Sequence, residues 1–438
     1  MNRSSMSKNI YLAFLGAGEY QEAVYELSGL KANPTRYVQR AEIEILGPDY
    51  FDKVLIALTE TAKDKHYENL LNQLIELGVE PSKIQMIPIS EELDPDYHWK
   101  WFEAILAEIG QRDRLYVDMT HGYRIVPIVI STAIRYLQQI RNIRLEAVYY
   151  GAYEKNKQCS PIINCRDFYV INEWAEGVSR LVNDADADKL VELSSNSQQA
   201  VPFACLGHRD FNNSLKELSA SIKNVEVMQV PLKANHALKN LRKLKKEVKN
   251  DAQKELLDII EKKYQAIAKN PGPDNFSKEY FNSQLELVKL YLEHGLFMQG
   301  LTAMRELLVT WLEKLIRQEM EELFKNEWKD KPNKKKKKYR KEARLRFAEK
   351  ILGALLIPKE KWDLHNSCMH FALLIYEKLD KEKLLEQLLE ILHPLSKLRN
   401  GFDHAWTREG RAHENIEVES QRLLKEIINF LHKTGVSG

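Results

Sequence analysis

The chain has 438 residues, which is enough for two or three domains of ordinary size. Hydrophobic residues make up 44% and charged residues 29%, which is the usual balance of a soluble fold. The net charge is only +2, so overall charge does not indicate a nucleic-acid partner, and any basic surface has to be local.

The first part of the chain alternates short apolar runs with stretches of helical periodicity, which predicts a parallel sheet with helices on both faces. The predicted strands are Ile10–Leu15, Lys53–Leu58, Ile84–Ile89, Arg114–Asp118 and Leu145–Tyr150. The predicted helices are Lys65–Leu77, Trp99–Ile109 and Ile125–Ile140. Residues 1–170 are therefore predicted to form a Rossmann-like α/β domain.

The second part of the chain has helical character. Residues 171–275 are predicted to form a helical connector that ends near the break Pro271-Gly272-Pro273-Asp274. Residues 276–438 are predicted to form an α-helical domain, with helices within Lys278–Leu323 and Leu364–His432. The fold class is thus α/β plus all-α.

Three loops directly follow predicted strands: Gly16–Tyr20, Thr59–Thr61 and Thr120–Arg124. Because ligands bind outside the carboxyl ends of parallel strands, we expect these loops to meet at one rim. Gly16 and Gly18 resemble the start of a dinucleotide fingerprint, but position 21 is Gln21, so a nicotinamide cofactor is not expected. A tight turn and a phosphate-binding backbone remain as alternatives.

The hexapeptide from Arg399 to His404 contains an arginine and a histidine separated by four residues. A guanidinium can clamp a phosphate, and an imidazole can transfer a proton near neutral pH. These two side chains do not share a face of a regular helix. We therefore expect Gly401 to distort or end the helix, so that both side chains turn into one cleft.

Together, these motifs resemble the CRISPR-associated CARF–HEPN ribonucleases of type III defence systems. The resemblance is carried by Phe14–Tyr20, Asp118–Arg124 (D-x-T-H-G-x-R) and Arg399–His404 (R-N-x-x-x-H). Ile171–Glu176 is similar to the segment after the sensor, and Gly300–Glu306 to the first HEPN helix. The resemblance implies an N-terminal CARF domain that senses cyclic oligoadenylate and a C-terminal HEPN domain that cuts RNA.

The resemblance implies that cyclic oligoadenylate binds at the predicted rim as an allosteric activator, with a ring of four adenylates favoured over six. Thr120 and Arg124 would hold phosphate or ribose, and Tyr123 would stack on adenine. The alternative is that Thr120 only caps the following helix. Asp118 is expected to orient the loop. The predicted ligand-binding residues are Gly16, Ala17, Gly18, Glu19, Tyr20, Thr59, Thr120, His121, Gly122, Tyr123 and Arg124.

The resemblance also implies a homodimer, in which the two sets of catalytic residues meet in a composite cleft. Whether the dimer assembles into a higher oligomer is left open by the sequence. The substrate's own 2′-hydroxyl would attack, leaving a 2′,3′-cyclic phosphate and a 5′-hydroxyl. Arg399 would stabilise the transition state. His404 would move protons or position the scissile phosphate, and Asn400 would orient the phosphate of single-stranded RNA or support the loop. Glu306 is predicted to hold Arg399. No metal or cofactor is expected, since no clustered acidic metal-binding set is visible.

Two alternatives belong to other classes. The chain would be a ligand-binding regulator whose helices only mediate association, or a sensor that degrades its own cyclic ligand through His121 or Thr120. The run Lys334–Lys338 has two interpretations, a solvated loop or an electrostatic funnel for RNA.

Neither cysteine spacing nor the N-terminus indicates export. There is no C-x-x-C pair, which disfavours a zinc knuckle or a disulfide framework and fits a reducing cytoplasm. The N-terminal residues are polar, and no signal peptide or membrane-length apolar run is visible, so a cytoplasmic protein without a membrane partner is predicted. The four cysteines are Cys159, Cys165, Cys205 and Cys368.

Overall fold

The computed structural model describes residues 7–90, 92, 95–122, 125–155, 157–195, 207–268, 276–326, 339, 343–403 and 415–437. The chain divides into two compact units, residues 1–172 and residues 173–438.

The first unit is built on an eight-stranded mixed sheet with the order β3-β2-β8-β7-β6-β1-β4-β5. Strands β5, β4, β1, β6 and β7 are mutually parallel, whereas β8 runs antiparallel to β7 and β3 antiparallel to β2. The strands are β1 (Asn9–Leu15), β2 (Tyr25–Leu27), β3 (Leu30–Lys31), β4 (Lys53–Leu58), β5 (Ile84–Pro88), β6 (Arg114–Asp118), β7 (Arg144–Gly151) and β8 (Ser160–Asn164).

Helices cover both faces of this sheet, because alternate residues of the central strands point to opposite sides. Tyr11 and Ala13 of β1 belong to the cluster on one face, and Ile10 and Leu12 to the cluster on the other. A π-helical turn, Lys63–Tyr67, joins the second and third helices. The helices are α1 (Val38–Leu46), α2 (Glu60–Ala62), α3 (Glu68–Glu76), α4 (Pro95–Glu108) and α5 (Val126–Arg141).

The second unit is helical throughout the part that the structure describes. It also contains a π-helical turn, Ala343–Ala348. Helix α6 starts at the end of the first unit and leads into the second. The helices are α6 (Arg166–Asp184), α7 (Asp188–Ser195), α8 (Arg209–Lys223), α9 (Val230–Glu247), α10 (Asp251–Tyr264), α11 (Lys278–Glu293), α12 (Phe297–Asn326), α13 (Glu349–Ala354), α14 (Asn366–Lys381), α15 (Leu385–Asp403) and α16 (Ile416–Lys433).

The predicted class, a Rossmann-like α/β domain followed by helices, is confirmed, and all five predicted strands are present. The sheet is mixed rather than purely parallel because three short strands extend one edge. Strands β2 and β3 contain three and two residues, too few for periodicity to reveal them. Helix α1 was also not predicted, since the buried polar residues Gln39 and Glu42 interrupt its apolar pattern.

The expectation for Gly401 was wrong. Helix α15 continues through Gly401 and ends at Asp403 as far as the structure describes it. A glycine inside a helix costs only about 1 kcal/mol relative to alanine, which the burial of Leu395 and Leu398 on the same helix can offset.

Candidate functional site

The carboxyl ends of β1, β4 and β6 lie side by side at one edge of the sheet. Strand β1 pairs with β4 on one side, with Leu15 opposite Leu58, and with β6 on the other, with Ala13 opposite Asp118. The chain first builds the sheet outward through β4 and β5 and then returns to add β6 on the opposite side of β1. The crevice between β1 and β6 is therefore a topological switch point, the usual ligand site of such sheets.

Two glycines allow the loops after β1 and β6 to pack backbone against backbone. A Cβ on Gly16 would lie 3.3 Å from the backbone nitrogen of Gly122. Gly122 has φ +118°, and a Cβ there would lie 3.2 Å from Cγ2 of Val126. Gly18 is different, because a Cβ there would meet nothing within 4 Å. The first two glycines serve packing, and Gly18 leaves the rim open.

Asp118 organises the loop that follows β6. Its Oδ1 accepts hydrogen bonds from the backbone N–H of Thr120 at 2.9 Å and from the Thr120 hydroxyl, and its Oδ2 accepts from Nε2 of Gln39 at 2.9 Å. Gln39 also donates to the carbonyl of Phe14 at 3.0 Å, and the Thr120 hydroxyl accepts from the N–H of Gly151 at 2.7 Å. Complete burial raises the pKa of the Asp118 carboxyl to about 6.

The Tyr20 ring lies between two imidazoles. Its centroid is 4.5 Å from that of His66 and 4.3 Å from that of His121. The Tyr20 hydroxyl accepts a hydrogen bond from the N–H of Gly16 at 2.8 Å and donates to the Gly16 carbonyl at 2.7 Å. Burial, and secondarily the charge of His66, lowers the pKa of His121 to about 4, so His121 is neutral near pH 7. Its Nε2 is buried and has no hydrogen-bond partner among the described residues.

The π-helical turn after β4 closes the other side of the rim. Its Lys65 donates to the carbonyl of Ala17 at 3.1 Å, and Nε2 of His66 lies 2.8 Å from the carbonyl of Gly18. Thr59, at the end of β4, is buried and its hydroxyl accepts from the N–H of Ala62 at 3.3 Å, so it caps α2.

Sequence reasoning missed Gln39, Lys65 and His66. A π turn leaves no periodic signal, although such turns are frequent at functional sites. The available signal was position, because Lys65 and His66 follow closely after the end of β4. Gln39 gave no signal, since its partners lie 25 and 79 residues away in the chain.

The structure thus brings the predicted segment Gly16–Tyr20 together with Thr120–Gly122 at one rim. Gly18 and Glu19 are exposed there, and Ala17 is half-buried. Asp118, Thr59 and Thr120 are engaged in internal hydrogen bonds. The remaining two predicted ligand residues, Tyr123 and Arg124, lie outside the described residues.

The second predicted site lies at the end of α15. Arg399 is half-buried, and its Nη2 donates to Oδ2 of Asp403 at 3.4 Å, one turn further along the helix. Asn400 is exposed, and His404 lies outside the described residues.

Glu306 of α12 forms ion pairs with Arg305 and Arg344. Its carboxylate accepts from Nη2 of Arg344 at 2.7 Å and from Nη1 of Arg305 at 2.8 Å. The structure therefore shows Glu306 holding Arg344 and Arg305, whereas the sequence prediction had it hold Arg399. Arg344 also bonds Glu313 of α12 at 3.2 Å, which ties the π turn Ala343–Ala348 to that helix.

Within the part of the chain that the structure describes, no group of three or more His, Cys, Asp or Glu side chains is arranged to hold a metal ion. None of the described helices is both long and apolar enough to cross a membrane.

A family model described as "CRISPR system endoribonuclease Csx1, CARF domain" matches residues 10–154, which include the β1 loop, the π turn and the β6 loop. These residues form a CARF domain. The chain is a CARF-containing protein, and its predicted resemblance to the ancillary effectors of type III CRISPR systems is confirmed at that level.

Individual proteins that are similar to this chain include one curated relative and one solved structure. "CRISPR-associated protein MJ1674" of Methanocaldococcus jannaschii is 21% identical over 189 residues, which are 41% of this chain. The match spans only 30% of the length of that relative. A structure of Enterococcus italicus Csm6 bound to cyclic hexa-2'-fluoro-hexa-dAMP aligns with 98% of this chain and 95% of its own, with 12% identity and a TM-score of 0.48.

Proposed function

We propose that this chain is a cytoplasmic endoribonuclease of a type III CRISPR antiviral system, activated by cyclic oligoadenylate. The observation that carries the proposal is the rim at the β1–β6 switch point, because it lies inside the segment that matches the CARF domain of an endoribonuclease. The rim combines exposed backbone with stacked aromatic rings, which are the two features that a ring of phosphates and adenines requires.

The rim residues divide into those that contact the ligand and those that position them. Backbone N–H groups of the loop after β1, at Ala17, Gly18, Glu19 and Tyr20, would approach phosphates, and so would that of Gly122. His121, Tyr123 and Arg124 would contact base, ribose or phosphate. Asp118, Thr59 and Thr120 would hold the loops in place through the hydrogen bonds described above.

A cyclic ligand with two-fold symmetry favours a homodimer that binds it across two CARF domains. Each protomer would contribute one set of Arg399, Asn400 and His404 to a shared cleft. Ligand binding then acts as an allosteric signal, because it favours one relative arrangement of the protomers over another.

Cleavage would use the 2′-hydroxyl of the single-stranded RNA substrate as the nucleophile and need no divalent metal. The oxygen–phosphorus bond to the 5′-oxygen of the next nucleotide breaks, which leaves a 2′,3′-cyclic phosphate and a 5′-hydroxyl. Arg399 would offset the charge that develops on the phosphoryl oxygens. His404 would transfer protons, and Asn400 would orient the phosphate.

The test is cleavage of a fluorescent single-stranded RNA in EDTA, with no activator, with cyclic tetra-adenylate and with cyclic hexa-adenylate. We expect cleavage with one ring size, the four-membered ring being favoured, and 2′,3′-cyclic phosphate products. The same sequence as DNA should survive, since it lacks the nucleophile. A folded dimer that binds the ring but never cleaves RNA would instead indicate a ligand-binding regulator.

A second candidate activity, degradation of the cyclic ligand by the CARF domain itself, is favoured by one observation. His121 lies at the rim against Tyr20, and its Nε2 has no hydrogen-bond partner among the described residues, so this nitrogen can bond a ribose hydroxyl of the ligand. Linear oligoadenylate that accumulates with the wild-type protein, and not with His121→Ala, would establish this activity. An unchanged ring after long incubation would exclude it.

A further inference from the structure

A cavity of about 190 Å³ opens beside Arg399 in the helical unit. Helices α12, α13 and α15 contribute its walls, together with the residues that follow α13. One part of the lining is apolar and consists of four leucines. The charged and hydroxyl-bearing residues of the lining are Arg305, Arg399 and Ser396. The leucines are Leu352, Leu356, Leu392 and Leu395.

We propose that this cavity binds one nucleobase of the RNA substrate, next to the phosphate that Arg399 contacts. The inference rests on the proposed function and adds to it a subsite that decides which nucleotide lies at the cleavage point. It assigns Arg305, Ser396 and Gly353 to substrate binding, in addition to the residues at the end of α15.

The volume fits one planar ring system. An engineered apolar cavity of about 150 Å³ accepts a benzene molecule, so a cavity of about 190 Å³ has room for one heterocyclic base but not for a stacked pair. Small-molecule subsites in proteins have this composition, with apolar walls and a few polar groups that fix orientation.

The charged part of the lining fits RNA rather than an apolar ligand. Single-stranded RNA is recognised through unstacked bases, which pack on apolar or aromatic side chains and on the planes of arginine guanidinium groups. The Arg399 guanidinium has five N–H donors, and its hydrogen bond to Asp403 at 3.4 Å is long and partly exposed. Among the described residues, Asp403 is the ion-pair partner of Arg399, which leaves other N–H donors of the guanidinium to bind a phosphate while the adjacent cavity receives the base.

Gly353 offers a direct way to fill the cavity. It lies in α13, and a Cβ built on it would meet nothing within 4 Å. Its backbone is not in the left-handed region, so a larger side chain is not strained there. Leucine also has a higher helix propensity than glycine, so Gly353→Leu should fold while its side chain occupies the cavity.

The experiment is a binding cycle on the full-length protein, with an RNA made uncleavable by a 2′-deoxy substitution at the scissile nucleotide and with a matched RNA lacking the base there. For wild type, we expect removal of the base to weaken binding about tenfold, the scale of one stacked base. Gly353→Leu should weaken binding of the intact RNA by a similar factor, and removal of the base should then have no further effect. The affinity of Gly353→Ala for the intact RNA should lie between those of wild type and Gly353→Leu.

The control is Lys350→Leu, which adds a leucine at an exposed position of the same helix outside the cavity lining and should leave the effect of base removal as in wild type. In cleavage assays with the activating ring, Gly353→Leu should raise KM about tenfold and flatten the base preference at the cleavage point, with a smaller change in kcat.

The proposal is overturned if base removal and Gly353→Leu weaken binding independently of each other, or if neither weakens it. A change of the dimer fraction in light scattering, combined with independent effects on RNA binding, would mean that a second copy of the chain occupies the cavity. Because RNA binding in this cycle does not depend on catalysis, a wild-type protein that never cleaves RNA would contradict the proposed function while the cycle still decides whether the cavity binds a base. If Gly353→Leu lowers the melting temperature, the same binding cycle is measured with Ser396→Ala, which keeps the fold and should change base discrimination.

Discussion

The rim of the CARF domain and the Arg399 region of the helical unit are built in opposite ways. At the rim, strand ends bring loops from distant parts of the chain together, and a buried carboxyl and two glycines hold their backbones in place. Around Arg399, side chains on helix surfaces form ion pairs, and among the described residues the partner of Arg399 is Asp403, four residues away. The first site depends on the backbone of the sheet, and the second on charges displayed by helices.

This difference has a consequence for mutation. At the rim, a change in a residue that never touches the ligand should alter both folding and ligand affinity, because the loop geometry depends on it. In the helical unit, removal of one charged side chain should abolish an activity and leave stability almost unchanged, because exposed ion pairs contribute little to folding.

The largest expected effect is on RNA cleavage. Arg399→Ala and His404→Ala should each lower the rate at least about a hundredfold, through loss of charge stabilisation or of proton transfer. Binding of the cyclic oligoadenylate, measured by calorimetry, should be unchanged in both variants, because the ring is expected to bind the CARF domain and both substitutions lie in the helical unit. The matched control is Arg422→Ala, which removes an exposed arginine from α16 and should retain activity. Loss of ring binding together with cleavage would contradict the separation of the two sites.

The next effect is a pH dependence of stability that originates at Asp118. Burial raises its folded-state pKa to about 6 from an ordinary value of 3.8, so the folded state binds more protons than the unfolded state between these values. The free energy of unfolding should therefore fall as pH rises from about 4 to about 6.5, by about 3 kcal/mol for a shift of roughly two units.

The measurement is urea denaturation across this pH range for wild type and for Asp118→Asn, which cannot ionise. The difference between the two curves should contain the Asp118 contribution and the part of the Glu42 pKa shift that the Asp118 charge causes, whereas the larger part, which burial causes, affects both proteins. Parallel curves for the two proteins would refute the assignment.

A pair of glycine variants tests whether the rim depends on backbone geometry. Gly122→Ala should destabilise the fold by about 1–3 kcal/mol, because φ is +118° and the new Cβ would lie 3.2 Å from Val126. It should also weaken ring binding. Gly18→Ala, whose Cβ has free space, should not change the melting temperature. Equal melting temperatures for the two variants would show that the β6 loop adapts.

The smallest expected effect separates the ring of Tyr20 from its hydroxyl. Tyr20→Phe leaves the N–H of Gly16 without this partner and should cost about 1 kcal/mol of stability, with the stack on His66 and His121 retained. Tyr20→Ala removes the stack as well and should weaken ring binding further, by about tenfold. If the two variants bind the ring equally, the aromatic stack is not part of the ligand site.

The positions of the five main strands along the chain, the change to helices and the loops that follow the strands could be predicted from the sequence. Each of the five strands is a short apolar run, because parallel strands covered on both faces are apolar throughout, and this pattern is local. The β1 and β6 loops could be assigned to the rim because they follow directly after strands whose direction is determined by the crossovers.

Other features depend on partners that are distant in the chain, and only the tertiary structure decided them. His66 stacks on Tyr20 from a π turn 46 positions later, and Gln39 reaches Asp118 from a helix whose apolar pattern is interrupted by buried polar residues. Glu306 pairs with Arg344 although Arg399 has the same charge. Local pattern determines which backbone conformation a segment adopts and which face it buries. The choice among several partners of equal chemistry is made by packing, because only the assembled fold determines which side chains come within hydrogen-bonding distance.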